Sequence, residues 1–469
     1  MTTNEMTGNE GGRGAPGGLA AKLARIRGLA TGRIARTASW LMVWKAVNLL
    51  SSLVVGIWLA RHLGPESYGL YAYVLALVAL LLPVAQFGLN GIAVKELKLE
   101  PEASGEILGT AFALRVVGAV AATAAVVAIA RLSALDAPDL PLLAGVVAAA
   151  GVIGSLRVTE CHFLAVEAPR AYVLGSAAVT VAFALLKIAL ILFGAGVTGF
   201  LIVAASETVL AGVAAIWVYW RGVGSPFAWR VRWGRMKGYV RRAAPLIISG
   251  LTAVVYLKVD LVFLSEMVSV ETAGVYAVAS RISEIWYFLP TIVATAVFPR
   301  LIETRRDRPA RYLEQLQSVF DLLTMVAIAI AIAVGFFASD VIRILFGEAY
   351  AEAGPILVVH VWAGVFVFQR ALLSRWLIAE DLYALSLVTH GGGAIANVAL
   401  NLILIPAYGG FGAAIATVIS YGVASSGMLW MTPSGRPAAR MMALSFIYPF
   451  RVVADAFGGR ARVRQKAGT

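Results

Sequence analysis

Long apolar segments fill most of this chain, and they restrict it to proteins that cross a membrane many times. A helix needs about 20 consecutive apolar residues to span the hydrocarbon core of a bilayer. Hydrophobic residues make up 60% of the 469 residues and charged residues only 14%, which excludes a soluble domain with a single anchor. We predict an all-α polytopic membrane protein with twelve spans, at residues 37–60, 69–93, 107–130, 142–166, 171–193, 197–220, 240–266, 272–298, 318–338, 353–379, 382–405 and 409–431.

Basic residues outnumber acidic ones by 39 to 26, for a net charge of +13. In a soluble protein this excess would suggest a nucleic-acid partner. Here 29 of the basic residues fall in the two tails and in alternate loops, whereas the other loops hold only Arg61, Arg131 and Arg343. Loops rich in Lys and Arg stay on the cytoplasmic side of a membrane, so we expect both termini in the cytoplasm and no nucleic-acid partner. We name the side with the many basic loops the basic face and the opposite side the outer face.

A weak internal repeat relates the two halves of the chain. The segment Leu63–Leu75 resembles Val268–Ser280 at a shift of 205 positions, and this shift matches Gly69 with Gly274. Two like halves in the same orientation predict two pseudo-symmetric six-helix lobes around a central cavity, an arrangement that suits alternating access. The predicted divisions are a basic tail (1–36), an N-lobe (37–220), a cytoplasmic linker (221–239), a C-lobe (240–431) and a second basic tail (432–469).

Charged residues lie inside the predicted spans, where each costs at least ~2.5–3.5 kcal/mol on insertion scales. Lys258 and Asp260 occupy one span of a hairpin, and Arg281 and Glu284 occupy the other. Two interpretations are open. Arg281 can pair with Glu284 three residues away, or with Asp260 across the hairpin, in a purely structural cluster. Alternatively, the charges line a hydrated cavity.

The excess of basic residues favours the cavity. The acidic residues that lie well inside the spans are too few to neutralise the basic ones; they are Asp260, Glu284, Glu207 and Glu160. Arginine and lysine bind phosphate oxygens, so the expected occupant is an anion, either a small metabolite or a lipid-linked diphosphate. The basic residues within the spans are Lys45, Arg115, Lys187, Lys258, Arg281, Arg370 and Arg375.

Two observations argue against a metal centre and against an enzyme. The single cysteine and the four scattered histidines form no cluster with metal-ligand spacing, so we expect no metal site. The longest loop on the outer face, Ser339–Glu352, has 14 residues. That is too short to hold a catalytic domain for a polymerase or a glycosyltransferase, so we expect a protein that is not an enzyme.

Several segments resemble Wzx-type oligosaccharide flippases, members of the superfamily that includes MATE exporters and MurJ-type lipid flippases. They are LARHLGPESYGLYAYVLAL, QFGLNGIAVKEL, KVDLVFLSEM with GVYAVASRISEIWYFLP, WLIAEDLYALSL and ALNLILIPAYGGFGAAIATVISY. The resemblance implies movement of undecaprenyl-diphosphate-linked oligosaccharide from the inner to the outer leaflet of the bacterial cytoplasmic membrane. It also implies membrane lipids, a polysaccharide polymerase and glycosyltransferases as partners.

The predicted site follows from the charges and from this resemblance. The diphosphate would bind the cations Lys45, Arg115, Lys258, Arg281 and Arg370. Asp260 and Glu284 would hold a coupling cation or proton, driven by a Na⁺ or H⁺ gradient, or would only orient Arg281. We expect no other cofactor. The alternative function is a cation-coupled exporter of small drugs on the same fold, which would need an acidic cavity.

Overall fold

The computed structural model describes residues 33–451, and every regular element in that range is a helix. Most of the predicted tail 1–36 and the end of the predicted tail 432–469 lie outside the described residues. Apolar sequences in a membrane satisfy their backbone hydrogen bonds within each helix, which explains why the long apolar segments all take this form.

The first half of the chain is a bundle whose longest helix bends sharply near its middle. Gly64 interrupts that helix with φ 72°, a left-handed conformation that glycine adopts without strain. The α-helices of this half are α1 (Arg33–Ala85), α2 (Asn90–Leu99), α3 (Ser104–Leu132), α4 (Leu140–Gly154), α5 (Glu160–Ala165), α6 (Arg170–Leu192) and α7 (Val197–Gly222).

The second half repeats this pattern of long helices, with a second glycine kink at Gly409 (φ 54°). A π-helical turn, Val423–Gly427, follows the longest of them. The α-helices are α8 (Trp233–Met267), α9 (Val270–Glu284), α10 (Phe288–Asp307), α11 (Pro309–Phe336), α12 (Ala338–Phe346), α13 (Ala353–His360), α14 (Ala363–Ala379), α15 (Tyr383–Gly422), α16 (Met428–Trp430) and α17 (Arg436–Phe446).

The chain is a multi-pass membrane protein. Within residues 33–451, nine helical stretches are long and apolar enough to cross a membrane, and a bent pair around Phe298 would make a tenth. Two of the nine contain the kinks at Gly64 and Gly409, and at each of these non-helical residues two helices meet. The number of twelve spans stays a prediction.

Three clusters of buried apolar residues show how the lobes meet. One cluster joins both halves of the chain, with Phe200 from the first and Tyr350 from the second. A second cluster, around Phe320 and Phe368, contains only the C-terminal half. A third, around Ile107, contains the N-terminal half and the first turns of α8. The two lobes thus share one core and otherwise keep separate ones.

The contacts between the lobes lie at the predicted outer face. The carboxylate of Glu266, at the end of α8, accepts hydrogen bonds from the Tyr73 hydroxyl, from Ser133 Oγ (2.6 Å) and from the backbone N–H of Ala134 (3.0 Å). The Tyr350 hydroxyl donates to the carbonyl of Ala60 at 2.8 Å. These contacts close the space between the lobes on that side.

Gly69 and Gly274, the two glycines matched by the sequence repeat, meet where α1 crosses α9. A Cβ atom on Gly69 would overlap the carbonyl oxygen of Val270, and a Cβ atom on Gly274 would overlap the carbonyl oxygen of Pro65. Residues 65 and 270 are themselves separated by the shift of 205 positions. The crossing is therefore symmetric, and it needs residues without side chains because the two backbones are in contact.

The start of α8 belongs to the N-lobe, although we predicted span seven to begin at residue 240 in the C-lobe. Tyr239 and Ala243 are buried in the N-lobe core. The Glu96 carboxylate binds Arg235 and Arg242, each at 2.6 Å, and accepts a 2.5 Å hydrogen bond from the Tyr239 hydroxyl. This cluster fixes the first turns of α8 to the end of α2.

We expect Glu96→Gln to lower the free energy of unfolding by about 2 kcal/mol, because hydrogen bonds to charged groups contribute ~1.5–3 kcal/mol each. The measurement is the thermal unfolding midpoint of the purified protein in detergent. Glu102→Gln is the matched control, since Glu102 is exposed on the same face. Equal midpoints for the two variants would contradict this role of Glu96.

Two segments that we predicted as an outer loop and a tail contain helices. The 14-residue outer loop from Ser339 to Glu352 contains most of α12, whose Ile342 and Phe346 pack into the shared core. The predicted tail after residue 431 contains α17, whose Met442 is buried in the C-lobe. In both segments an apolar face with helical spacing packs against the bundle.

Candidate substrate cavity between the lobes

A cavity of about 380 Å³ lies between the lobes and contains charged groups of the predicted hairpin. Both arms of α1 form its N-lobe wall, and α8 and α9 form its C-lobe wall. One face of α9 lines the cavity, and it presents Ala277, Arg281 and Glu284 at helical spacing. We call this space the first cavity.

Arg281 reaches from the C-lobe into the N-lobe. Its guanidinium donates to the carbonyl of Ser52 at 2.5 Å, to Ser52 Oγ at 2.8 Å and to the Tyr68 hydroxyl at 2.9 Å. Gly56 provides the room for this, because a Cβ atom there would overlap the guanidinium. All three acceptors are neutral, so Arg281 keeps its full positive charge at the boundary between the lobes.

The other two charges of the first cavity neutralise each other. Lys258 Nζ lies 3.3 Å from Glu284 Oε2, and both side chains are about one third exposed. Glu284 therefore pairs with Lys258 across the hairpin, although Arg281 is only three residues away on the same helix. Within residues 33–451, no carboxylate forms a salt bridge with Arg281, which makes it the excess charge of the cavity.

Asp260 lies away from the first cavity and is only 3% exposed. Its Oδ2 accepts hydrogen bonds from the hydroxyls of Tyr276 and Thr417, the latter at 2.9 Å. Its Oδ1 has no hydrogen-bond partner in the described part of the chain. Asp260 makes no contact that would orient Arg281, but its free oxygen could accept a proton or a cation.

A second cavity, of about 220 Å³, adjoins the first and lies mainly inside the N-lobe. Arg281, Ser52 and Tyr71 line both cavities. The second cavity also contains a salt bridge between Lys187 Nζ and Glu207 Oε2, at 2.5 Å. The sequence places both residues inside spans, but nothing in their spacing connects them with Arg281.

The remaining predicted cations occupy three different places. Lys45 is exposed and lies on the face of α1 that continues toward Ser52. Arg115 is buried in the N-lobe, where it binds the side chains of Asn90 and Cys161 and lines a separate cavity of about 120 Å³.

Arg370 lies within the C-lobe. It donates to Thr389 Oγ1 at 2.8 Å and to the carbonyl of Ala424, in the π-helical turn, at 2.9 Å. The structure therefore brings Lys258 and Arg281 together in the first cavity and places Arg115 and Arg370 inside separate lobes. The sequence could not distinguish these positions, because a charge within a span is compatible with a cavity wall or with a helix contact.

The fold is that of known membrane transporters. The lipid II flippase MurJ, in an inward closed conformation, superposes with a TM-score of 0.65 over 89% of this chain and 92% of that chain, at 13% identity. An inward-facing multidrug resistance MATE family transporter of the MOP superfamily superposes with a TM-score of 0.68 over 86% and 96%, at 18% identity. These similarities confirm the predicted fold.

Sequence comparison places the chain in a family. The probable flippase AglR of Haloferax volcanii is 30% identical over 182 residues, a match that covers 37% of this chain and 37% of that relative. This chain thus spans little more than a third of the relative. The model of the polysaccharide biosynthesis protein family matches residues 34–305, more than half of the sequence. The chain therefore belongs to the polysaccharide biosynthesis protein family.

Proposed function

We propose that this protein is a flippase that moves a lipid-linked oligosaccharide across a membrane by alternating access. The observation that carries the proposal is the position of Arg281, a guanidinium at the boundary of two lobes with no acidic partner in the described part of the chain. A charged residue within a membrane span marks a functional site by default. The family and the relative named as a probable flippase support the same conclusion.

The diphosphate of the carrier lipid is the proposed ligand of Arg281. A guanidinium binds phosphate oxygens through two parallel N–H donors, which is a stronger arrangement than its contacts with the neutral oxygens of Ser52 and Tyr68. Lys258 adds a second positive charge on the same wall. Lys45 extends the basic surface along α1, whereas Arg115 and Arg370 are proposed to hold helices together within their lobes.

The direction of transport follows from the proposed topology. With the basic face in the cytoplasm, the contacts of Glu266 and Tyr350 close the outer side, and the headgroup is proposed to enter from the inner leaflet. The carrier is proposed to be undecaprenyl diphosphate and the membrane the bacterial cytoplasmic membrane, with a polymerase and glycosyltransferases as partners. The relative is archaeal, so the flippase proposal itself is limited to a lipid-linked oligosaccharide.

Transport of small cationic drugs is the alternative function, and the cavity charge argues against it. The first two cavities contain Arg281, Lys187 and Lys258 against Glu207 and Glu284, so their charge is positive. A cationic drug would be repelled where an anionic diphosphate is attracted.

An assay with purified protein in proteoliposomes separates the two functions. We expect the protein to move a lipid-linked oligosaccharide between leaflets and to leave a fluorescent organic cation untransported. The oligosaccharide is extracted from source cells that lack this gene, and its exposure on the outer leaflet is measured with a lectin. Transport of the cation without movement of the lipid would overturn the proposal.

Asp260 is the proposed coupling residue, because its Oδ1 is buried and has no hydrogen-bond partner among residues 33–451. We expect Asp260→Asn to keep the hydrogen bond with Thr417 while it removes the charge, and to reduce ion-driven transport at least tenfold. The measurement is the rate of lipid movement in proteoliposomes with an imposed Na⁺ or H⁺ gradient. Asp340→Asn, at an exposed position of α12, is the control. An unchanged response to both gradients would exclude Asp260 from coupling.

A further inference from the structure

The second cavity is chemically different from the first, although Arg281 lines both. The wall of the first cavity is largely apolar and includes Leu49, Leu53, Leu261 and Ile285. The wall of the second cavity contains the Lys187–Glu207 ion pair together with uncharged polar side chains. A ligand that occupies both cavities would therefore have an apolar part, a charged junction at Arg281 and a polar part.

The polar groups of the second cavity are not satisfied by one another. Asn48, Ser51 and Thr180 are half-buried and line it, and their side chains form no hydrogen bond within residues 33–451. Unpaired polar groups at membrane depth are costly unless water or a ligand binds them. Their donors and acceptors are thus available to a polar ligand.

Away from Arg281, the charge balance of the second cavity indicates an uncharged polar group of the ligand. Lys187 and Glu207 cancel each other, and their side chains are 17% and 27% exposed, so both remain accessible from the cavity. A hydroxyl group can donate to a carboxylate and accept from an ammonium, and such charge-assisted hydrogen bonds are about twice as strong as neutral ones. Sugars carry several hydroxyl groups and fit this description.

We propose that the second cavity binds the sugar residue attached to the diphosphate, and that Lys187 and Glu207 determine which saccharide is accepted. This inference rests on the proposed flippase function. With the diphosphate at Arg281, the sugar extends into the N-lobe and the carrier chain extends along the apolar wall of the first cavity. Sites that hydrogen-bond a hydroxyl reject ligands that lack it, which gives the pair its selectivity.

A binding experiment with two lipids tests the inference. One lipid is the oligosaccharide lipid extracted from source cells that lack this gene, and the other is undecaprenyl diphosphate without sugar. We expect the wild-type protein to bind the first at least tenfold more tightly. Glu207→Gln is expected to remove most of that preference, and Thr180→Val to reduce it severalfold. Arg281→Gln is expected to weaken the binding of both lipids.

The variants are paired with controls of the same chemistry. Glu348→Gln removes a carboxylate from the exposed Arg343–Glu348 pair, and Thr123→Val removes a hydroxyl that bonds its own helix. The double exchange Lys187→Glu with Glu207→Lys keeps an ion pair, but it moves the ammonium group to position 207 and the carboxylate to position 187. If Glu207→Gln fails to fold, this exchange still reports on selectivity, and we expect the preference to be lost.

The outcomes separate the two levels of the proposal. If Arg281→Gln weakens the binding of neither lipid, the proposed flippase site is wrong. A second outcome is that Arg281→Gln weakens the binding of both lipids while the double exchange and Thr180→Val keep the wild-type preference for the saccharide lipid. In that case the assignment of the sugar site is wrong and the flippase proposal stands. A wild-type protein without preference for the saccharide lipid would also overturn the inference.

Discussion

Arg281→Ala is expected to abolish glycan export while the protein still inserts at normal abundance. The substitution removes the charge of the first two cavities that has no acidic partner within residues 33–451, and all three hydrogen bonds to Ser52 and Tyr68. Loss of a buried charged contact costs about 2–5 kcal/mol of binding free energy, which corresponds to a loss of roughly 30-fold to several thousand-fold. The measurement is surface glycan in a strain that lacks the gene and carries the variant.

Arg375→Ala is the matched control for this experiment. Arg375 also lies within a span, but its recorded hydrogen bond is to Thr295 within the C-lobe, and it does not line the first cavity. Arg281→Lys should restore only part of the export, because a single ammonium cannot bind two phosphate oxygens in the paired geometry. Normal export by Arg281→Ala at normal abundance would refute the role assigned to Arg281.

Gly274→Ala is expected to prevent closure at the outer face and to reduce transport at least 100-fold. The added methyl group would overlap the carbonyl oxygen of Pro65, and backbone atoms cannot move aside as the end of a flexible side chain can. Gly69→Ala should have the same effect, because its added methyl group would overlap the carbonyl oxygen of Val270 at the symmetric position. The lobes would separate on that side, which disrupts the alternation that transport requires.

Distances between spin labels at positions 61 and 343 measure this opening directly. We expect both variants to shift the distribution to longer distances and to lower the rate of lipid movement. Gly391→Ala is the control, since that helical glycine has no neighbouring atom within 4 Å of an added Cβ and alanine favours the helix. Unchanged distances with normal transport in Gly274→Ala would show that the crossing has room to adapt.

The fold was predictable because it depends on the length and order of apolar segments. Periodicity placed a break between residues 60 and 69, but it could not show that two helices meet there at the single non-helical residue Gly64. It also could not assign the first turns of α8 to the N-lobe, because that depends on the pairing of Glu96 with Arg235 from a distant part of the chain. Contacts between residues far apart in sequence leave no local pattern.

The candidate site was predictable in part. The hairpin charges Lys258, Arg281 and Glu284 do line one cavity, and their presence inside apolar spans was the signal. Which cation remains unpaired could not be read from spacing, because Glu284 pairs across the hairpin instead of with its helical neighbour. Tyr68 carries no charge and lies just before the predicted span 69–93, so nothing in the sequence marked it as a partner of Arg281.

Helix α8 packs against the N-lobe at its start and in the core common to both lobes near its end, and this determines where the molecule can bend. Its first turns are fixed to one lobe through Tyr239, whereas Leu261 and Leu264 belong to the core that joins both lobes. Any rotation of the lobes must therefore be absorbed as curvature in the intervening turns, where Pro245 already removes one backbone hydrogen bond. Alternating access, as proposed above, would bend α8 between its two anchored ends in one half of the cycle and straighten it in the other.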